Sequence, residues 1–399
     1  MRKTIYPFVA AAAALGLLIV LTSLYIGIPM GISGRADFRC LYAAGYLVRT
    51  GDAAHLFDYD AQRSVENARV SVEDVALPFN HAPYEALLFA PLSLLSYRSA
   101  YLTVLIGNLC LLALAFYMLR GYLQPLRQVW SWLPEAVFAC SIPVTIALFQ
   151  SQDSILLFTL ISAAFVLLDR GQEASAGALV ALSLFKFQYA IPIVLLFLIW
   201  RRWKFVAGFA VTGAALAILS FWLIGTAGLS GFIDLLLTTA RLSEAQQYRL
   251  GEYPGSMPNL RGLFYVLFHS RPVLAAAMTA LASALLVFYT GLTRRVSLAL
   301  AVLVAILVSY HATMHDLTLT ILPAGILLGE GLTWNEKWKM AAATALFVSP
   351  VLVFLAGPGY FYLLAVAILA AVLAEDGKAG RVASACAHGS TLKEPVDAS

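Results

Sequence analysis

Four short stretches of this sequence carry side chains able to move a proton or hold negative charge, and each abuts an apolar run. The first is Asp37 in Gly34-Arg35-Ala36-Asp37-Phe38, directly after the apolar run from Tyr6 to Ile28. The others are Gln150-Ser151-Gln152-Asp153, Lys186 within Leu184-Phe185-Lys186-Phe187-Gln188, and His311-Ala312-Thr313-Met314-His315-Asp316. An ionised carboxylate can take the proton of an attacking hydroxyl. Lysine and histidine can stabilise charge growing on a departing phosphate. Each residue also has a plainer use. Asp37 would serve as the N-cap of a following helix, worth about 0.5–2 kcal/mol, and Lys186 would snorkel from a helix end. Gln150, Gln152 and Asp153 would cap a helix–helix turn, and Asp316 would fix a structural histidine. His311 and His315 have the i, i+4 spacing of a zinc motif, but the glutamate of HExxH and a third ligand are missing, so no metal is expected.

These residues must be held by membrane-spanning elements. Of the 399 residues 61% are hydrophobic and only 12% charged, and the mean hydropathy is +0.82. That composition excludes a water-soluble globule and describes an all-α polytopic membrane protein. The formal charge of +4 follows from topology, not from nucleic acid. Cys40, Cys110, Cys140 and Cys386 show no paired spacing, so neither a disulfide framework nor a metal centre is expected. Walker, GxGxxG and serine-hydrolase patterns are absent, which removes the foothold for nucleotide hydrolysis and acyl transfer.

About twelve apolar runs can be read, several of them shorter than the ~20 residues that cross hydrocarbon unaided, so some must be broken or sheltered. The first is expected to be an uncleaved span. Short connectors rich in Lys and Arg, such as Arg201-Arg202 and Arg294-Arg295, place one face in the cytoplasm. Both termini fall on that face. The opposite face receives two long loops, 29–84 and 225–271, together with all four reactive stretches. Asp37 to Val48 reads as an amphipathic interfacial helix. Tyr84 to Leu95, apolar but interrupted by Pro91, reads as a re-entrant piece. A single transmembrane domain over 1–375 is expected, with a disordered cytoplasmic tail over 376–399. Lys186, between two apolar halves too short to span alone, costs about 2.5–3.5 kcal/mol in hydrocarbon unless it snorkels or meets an anion.

The order of these motifs resembles the family-87 glycosyltransferases, membrane enzymes of the GT-C type that include polyprenyl-phosphate-mannose-dependent mannosyltransferases. The likeness runs from Asp37-Phe38 through Tyr42-Ala43-Ala44, Gly51-Asp52 and Leu56-Phe57-Asp58. It continues through Phe79-Asn80-His81-Ala82-Pro83-Tyr84, Phe149 to Asp153, the Lys186 segment, Asn259 and His315-Asp316. Two places depart from the family pattern: the Tyr-Pro-Pro segment is altered at Ala82-Pro83-Tyr84, and serine and aspartate replace residues of a Gly-Gln-x-Asn turn.

The resemblance implies a GT-C bundle of about 10–12 transmembrane helices, with interfacial and re-entrant helices on the extracytoplasmic side. It implies Asp37 as catalytic base, with Lys186, His311 and His315 holding the donor phosphate. Tyr42, Asp52, His81, Gln150, Gln152, Asp153, Asn259 and Asp316 would then line the substrate site. The expected reaction is inverting, cofactor-free and metal-independent transfer of a sugar, mannose by the likeness, from a polyprenyl-phosphate donor. Its acceptor would be a lipid or glycan at the outer face of the plasma membrane, and its partners are those two substrates and membrane lipids. The alternative class is a lipid or small-molecule transporter, whose site would lie near the bilayer midplane on paired broken helices. Such a pair of related halves is not evident.

Overall fold

The computed structural model describes residues 2–73, 75–239, 244–249, 253–292, 296–334, 336–356 and 364–372. The expectation for the 376–399 tail lies outside the described residues. Among the described residues the chain is helical, with no strand. Six helices or helix pairs are long and apolar enough to cross a membrane: Val9–Arg49, Tyr97–Leu119, Glu173–Ile199, Trp203–Leu235, Pro272–Leu292 and His315–Trp334. Several of the short apolar runs join into one broken span, as Lys186 requires of its two halves. The chain is thus a polytopic helical membrane protein.

Helix α1 (Arg2–Met30) runs into a loosened turn at 31–35, where Gly34 takes φ +88. That conformation is open to glycine and turns the chain into α2 (Phe38–Arg49). A helix therefore stands where the sequence predicts an interfacial one, and most of its residues are buried. It is followed by α3 (Tyr59–Arg69). The re-entrant piece is a series of single turns, Pro83–Glu85, Ala86–Phe89 and Pro91–Leu94, broken by its prolines. Gly45 lets α2 sit directly on this piece, because a Cβ there would run into the Phe89 carbonyl.

Then come α4 (Tyr97–Leu119), α5 (Ile142–Phe149), α6 (Ser154–Asp169) and α7 (Glu173–Leu182). A tight turn, Ser183–Lys186, separates α7 from α8 (Phe187–Ile199). Helix α9 (Trp203–Thr239) crosses α7 at close range. A Cβ on Gly177 would strike the Phe205 carbonyl, and one on Gly208 would strike that of Ala174, the small-residue contact typical of membrane helices. Helix α9 also corrects the expected start of the second long loop at residue 225. Gly225 only kinks the helix, with φ +62 and ψ −166, and the apolar Leu229, Phe232 and Ile233 carry it onward.

The remaining elements are α10 (Leu260–Leu267), α11 (Pro272–Leu292), α12 (Leu298–Val308), α13 (Ile321–Trp334) and α14 (Lys337–Ala356). Helix α12 is buried along almost its whole length, and it forms the floor behind the turn that carries His311 to Asp316.

Candidate active site

Asp37 takes the residue before the first turn of α2, yet its carboxylate makes no capping hydrogen bond. The plainer use open to it from sequence is thus not the one found. Gln152 Nε2 instead donates to Asp37 Oδ2 at 2.9 Å. The Asp37 backbone N–H donates to Gln150 Oε1 at 2.8 Å, and the Phe38 N–H to the Gln150 carbonyl at 3.2 Å. With its side chain 34% exposed, Asp37 keeps oxygen lone pairs open to an incoming hydroxyl.

The two glutamines reach Asp37 because of how α5 ends. The Ser151 N–H bonds the Leu148 carbonyl at 3.0 Å and the Gln152 N–H bonds the Ala147 carbonyl at 2.9 Å, a Schellman closure. Its left-handed position, φ +48, is filled by Ser151, where glycine is the usual residue. Two side chains of α4 brace the turn. Tyr101 donates to the Phe149 carbonyl at 2.7 Å, and Asn108 to that of Gln152 at 3.0 Å.

Beyond Asp37 the polar residues form a chain of alternating charge. His315 Nδ1 lies 3.9 Å from Asp37 Oδ2, and His315 Nε2 lies 3.7 Å from Asp316 Oδ1. Lys186 Nζ is 2.6 Å from Asp316 Oδ1 and 3.0 Å from Asp153 Oδ1. His81 Nδ1 is 3.0 Å from Asp153 Oδ2 and 2.6 Å from Glu85 Oε2. All of these except Asp37 are buried or nearly so. Ser154 and Thr313 complete the shell of Asp316: Ser154 Oγ donates to Oδ1 at 2.8 Å, while the Thr313 N–H and hydroxyl donate to Oδ2 at 3.2 and 3.0 Å. Thr313 Oγ1 also lies 2.6 Å from His315 Nε2.

Lys186 ends a tight turn with φ −111 and ψ 64, and this break aims the ammonium inward. A buried ammonium between two carboxylates is the arrangement that makes its burial tolerable. It also means that Lys186 does not present a free positive face to a phosphate.

Outside the spans, the charges around His81 act strongly. Burial alone would lower the His81 imidazole, but the Glu85 and Asp153 carboxylates push it up to about 10. Burial pushes Glu85 up to about 8 against the pull of His81, and Asp153 adds to the rise. Burial also works to raise Asp153, yet the Lys186 ammonium and His81 hold it well below the usual carboxylate range. His81, Glu85 and Asp153 are close enough to share a cation. That role is already filled, because a protonated His81 sits between the two carboxylates and Lys186 beside them.

Asp37, Gln150, Gln152, Asp153, His81, Lys186, His315 and Asp316 thus come together. Four other residues expected at the site make contacts of their own. The Tyr42 hydroxyl donates to the Leu95 carbonyl at 2.8 Å. Asp52 pairs with His55 at 2.5 Å on an exposed turn. Asn259 caps α10 by accepting from the Gly262 N–H at 2.9 Å, and ties Ser309 through its amide. His311 is partly exposed, and its carbonyl accepts from Tyr189 at 3.3 Å. Sequence reasoning missed Glu85, Ser154 and Thr313. Glu85 had a signal, an acid at the start of an apolar stretch otherwise fit for hydrocarbon. The two hydroxyls had none.

The family model of glycosyltransferase family 87 matches residues 79–312, a segment that holds His81, the Gln150–Asp153 turn and Lys186. No curated protein and no solved structure matches the chain. With more than half of its length matched, this helical membrane protein belongs to glycosyltransferase family 87.

Proposed function

We propose that the protein transfers mannose from a polyprenyl-phosphate donor to a lipid or glycan acceptor on the extracytoplasmic face of the plasma membrane. Asp37 is the general base. It takes the proton of the acceptor hydroxyl as that oxygen attacks the anomeric carbon; the bond from that carbon to the phosphate oxygen breaks with its electron pair, and polyprenyl phosphate leaves. Attack opposite the leaving group inverts the anomeric centre. The observation that carries this reading is an Asp37 carboxylate oriented by Gln152, not used as a cap, and open on one side.

His315 and His311 face the departing phosphate and donate to it. Lys186 acts behind them: it keeps Asp153 and Asp316 charged and in place, and Asp316 with Thr313 sets the His315 ring. This assigns the donor phosphate to the histidines and changes the direct role expected of Lys186 from sequence. The reading needs no step through a metal.

The test uses purified protein in vesicles with radiolabelled polyprenyl-phosphate mannose and extracted envelope lipids. Asp37→Asn should lower transfer by about 100-fold or more, the usual worth of a positioned base. Its thermal midpoint should stay near that of the parent. Wild-type transfer by Asp37→Asn removes Asp37 as base. A panel of other polyprenyl-phosphate sugars decides the donor, and labelled product in any of them with mannose inactive removes the mannose assignment.

A further inference from the structure

A polar cavity of about 440 Å³ lies between the C-terminal half of α2, the end of α3 and the segment 93–97. Its walls carry Arg49, Arg69, Tyr46 and Ser93, with Leu94 and Leu95 at the rim. The guanidinium of Arg49 lies 5.0 Å from the centre of the Tyr46 ring, and that of Arg69 lies 4.9 Å from it. The two positive charges are therefore no more than about 10 Å apart, within about one Debye length at 0.1 M salt. Neither pairs with a carboxylate among the described residues, and no acidic residue lines the cavity.

The hydrogen bonds already made fix the walls without using up their donors. Arg49 Nε donates to Ser93 Oγ at 2.8 Å, and Ser93 in turn donates to the Ala90 carbonyl at 2.7 Å. Arg69 Nη2 donates to the Tyr46 hydroxyl at 2.8 Å, which leaves the Tyr46 proton to donate elsewhere. Beyond these two bonds, both terminal nitrogens of Arg49, and Nε and Nη1 of Arg69, have no hydrogen-bond partner among the described residues. Such a surplus of donors, with two like charges gathered on one ring, calls for an anion with several acceptor oxygens.

The rim says where that anion comes from. Leu94 is 71% exposed and Leu95 42% exposed. Helix α2 itself continues from a membrane-spanning helix. A cationic cavity bordered by bare leucines suits a phosphate whose acyl chains lie beside it. Arg49 lies twelve residues along α2 from Asp37, about 18 Å at helical rise, so this cavity is separate from the charge chain.

We infer that the cavity binds the phosphate headgroup of an anionic membrane lipid, held by Arg49 and Arg69. The inference does not depend on sugar transfer. The probe is phosphatidylglycerol as a minor component of phosphatidylcholine vesicles, with retention on the full-length protein read by native mass spectrometry. Wild-type protein should keep phosphatidylglycerol over phosphatidylcholine. Arg49→Gln with Arg69→Gln should weaken that retention by about 30-fold, and the corresponding pair of lysine substitutions should restore most of it. Arg69→Gln alone, on the exposed face of α3, should weaken it by about 5-fold and serves if the double variant does not fold. Equal retention by wild type and these glutamine variants overturns the site. Displacement of the lipid by inorganic phosphate at comparable concentration overturns the lipid assignment, and persistence against it supports it.

Discussion

Replacing Lys186 by methionine, which keeps much of the side-chain length and removes the charge, separates two roles for this residue. In the structure the ammonium lies 2.6 Å from Asp316 and 3.0 Å from Asp153, and both carboxylates are 1% exposed. Without it, two like charges face each other across no more than about 6 Å, a repulsion of about 3 kcal/mol at an effective dielectric constant of 20. Proton uptake by one carboxylate limits the loss, since Asp153 is kept low chiefly by Lys186. Loss of one partner from a buried charge group typically costs about 3–5 kcal/mol. For a chain of this size that is a fall in thermal midpoint of about 4–6 °C. The midpoint would be followed by intrinsic fluorescence in detergent, alongside the donor KM. Adding Asp153→Asn and Asp316→Asn should recover more than half of the fall, because the charges left unpaired are then gone. An unchanged midpoint with a raised donor KM refutes this account and returns Lys186 to the phosphate itself.

Three further outcomes are expected. Glu66, raised by burial to about 7 despite Arg39, Glu85 at about 8 and His81 at about 10 all bind protons more tightly folded than unfolded. The stability they contribute is complete below their ordinary values of 4.5 and 6.5 and is lost as pH rises through the folded ones, so the midpoint should fall from about pH 5, where Glu66 and Glu85 begin to lose it, to about pH 10, where His81 has lost it. Glu85→Gln should remove the part lost between about pH 5 and pH 8, and a flat profile would contradict the buried His81–Glu85 pairing. Gln152→Ala should slow transfer by about 10-fold while leaving the midpoint within about 2 °C, since it frees a partly exposed carboxylate to turn; unchanged transfer would show that Gln152 does not orient Asp37. Ser151→Gly should keep activity and raise stability by about 0.5–1 kcal/mol, because Ser151 holds φ +48, whereas Ser151→Val should lower both in thermal-shift and transfer assays.

The sequence made the membrane class, the helix leading from Asp37 and the broken helix at Lys186 legible, because apolar run length and the expense of burying charge act locally. Pairing was not legible. Nothing local says that Lys186 meets Asp153 and Asp316, which lie 33 and 130 residues away and approach only when α6, α8 and the turn before α13 pack. Asn259 is likewise tied by contacts that no local signal announces. Read as a substrate contact by family likeness, it has its amide and carbonyl taken up by Ser309 and the α10 N-terminus. The overrun of α9 through Gly225 has the same origin, since a single glycine signals a stop in sequence but only a bend where apolar residues follow.

The electrical balance of the chain from Glu85 to Asp37 indicates where chemistry is left to happen. His81, pushed up by Glu85 and Asp153, is charged at neutral pH. His81 and Lys186 are then matched by Asp153 and Asp316 within 3.0 Å contacts. That inner group is closed: its cations and carboxylates face one another, the oxygens of Asp316 are occupied by Ser154 and Thr313, and its members are buried or nearly so. A closed group neither accepts a substrate proton nor attracts an anion, but it fixes its neighbours firmly. The two groups at its edge are His315, held by Thr313, and Asp37, the most exposed of the chain. Their 3.9 Å separation is long for an ion pair with optimal contact, so neither neutralises the other fully. An acceptor hydroxyl against Asp37 and a leaving phosphate against His315 would complete the balance that the inner group leaves open.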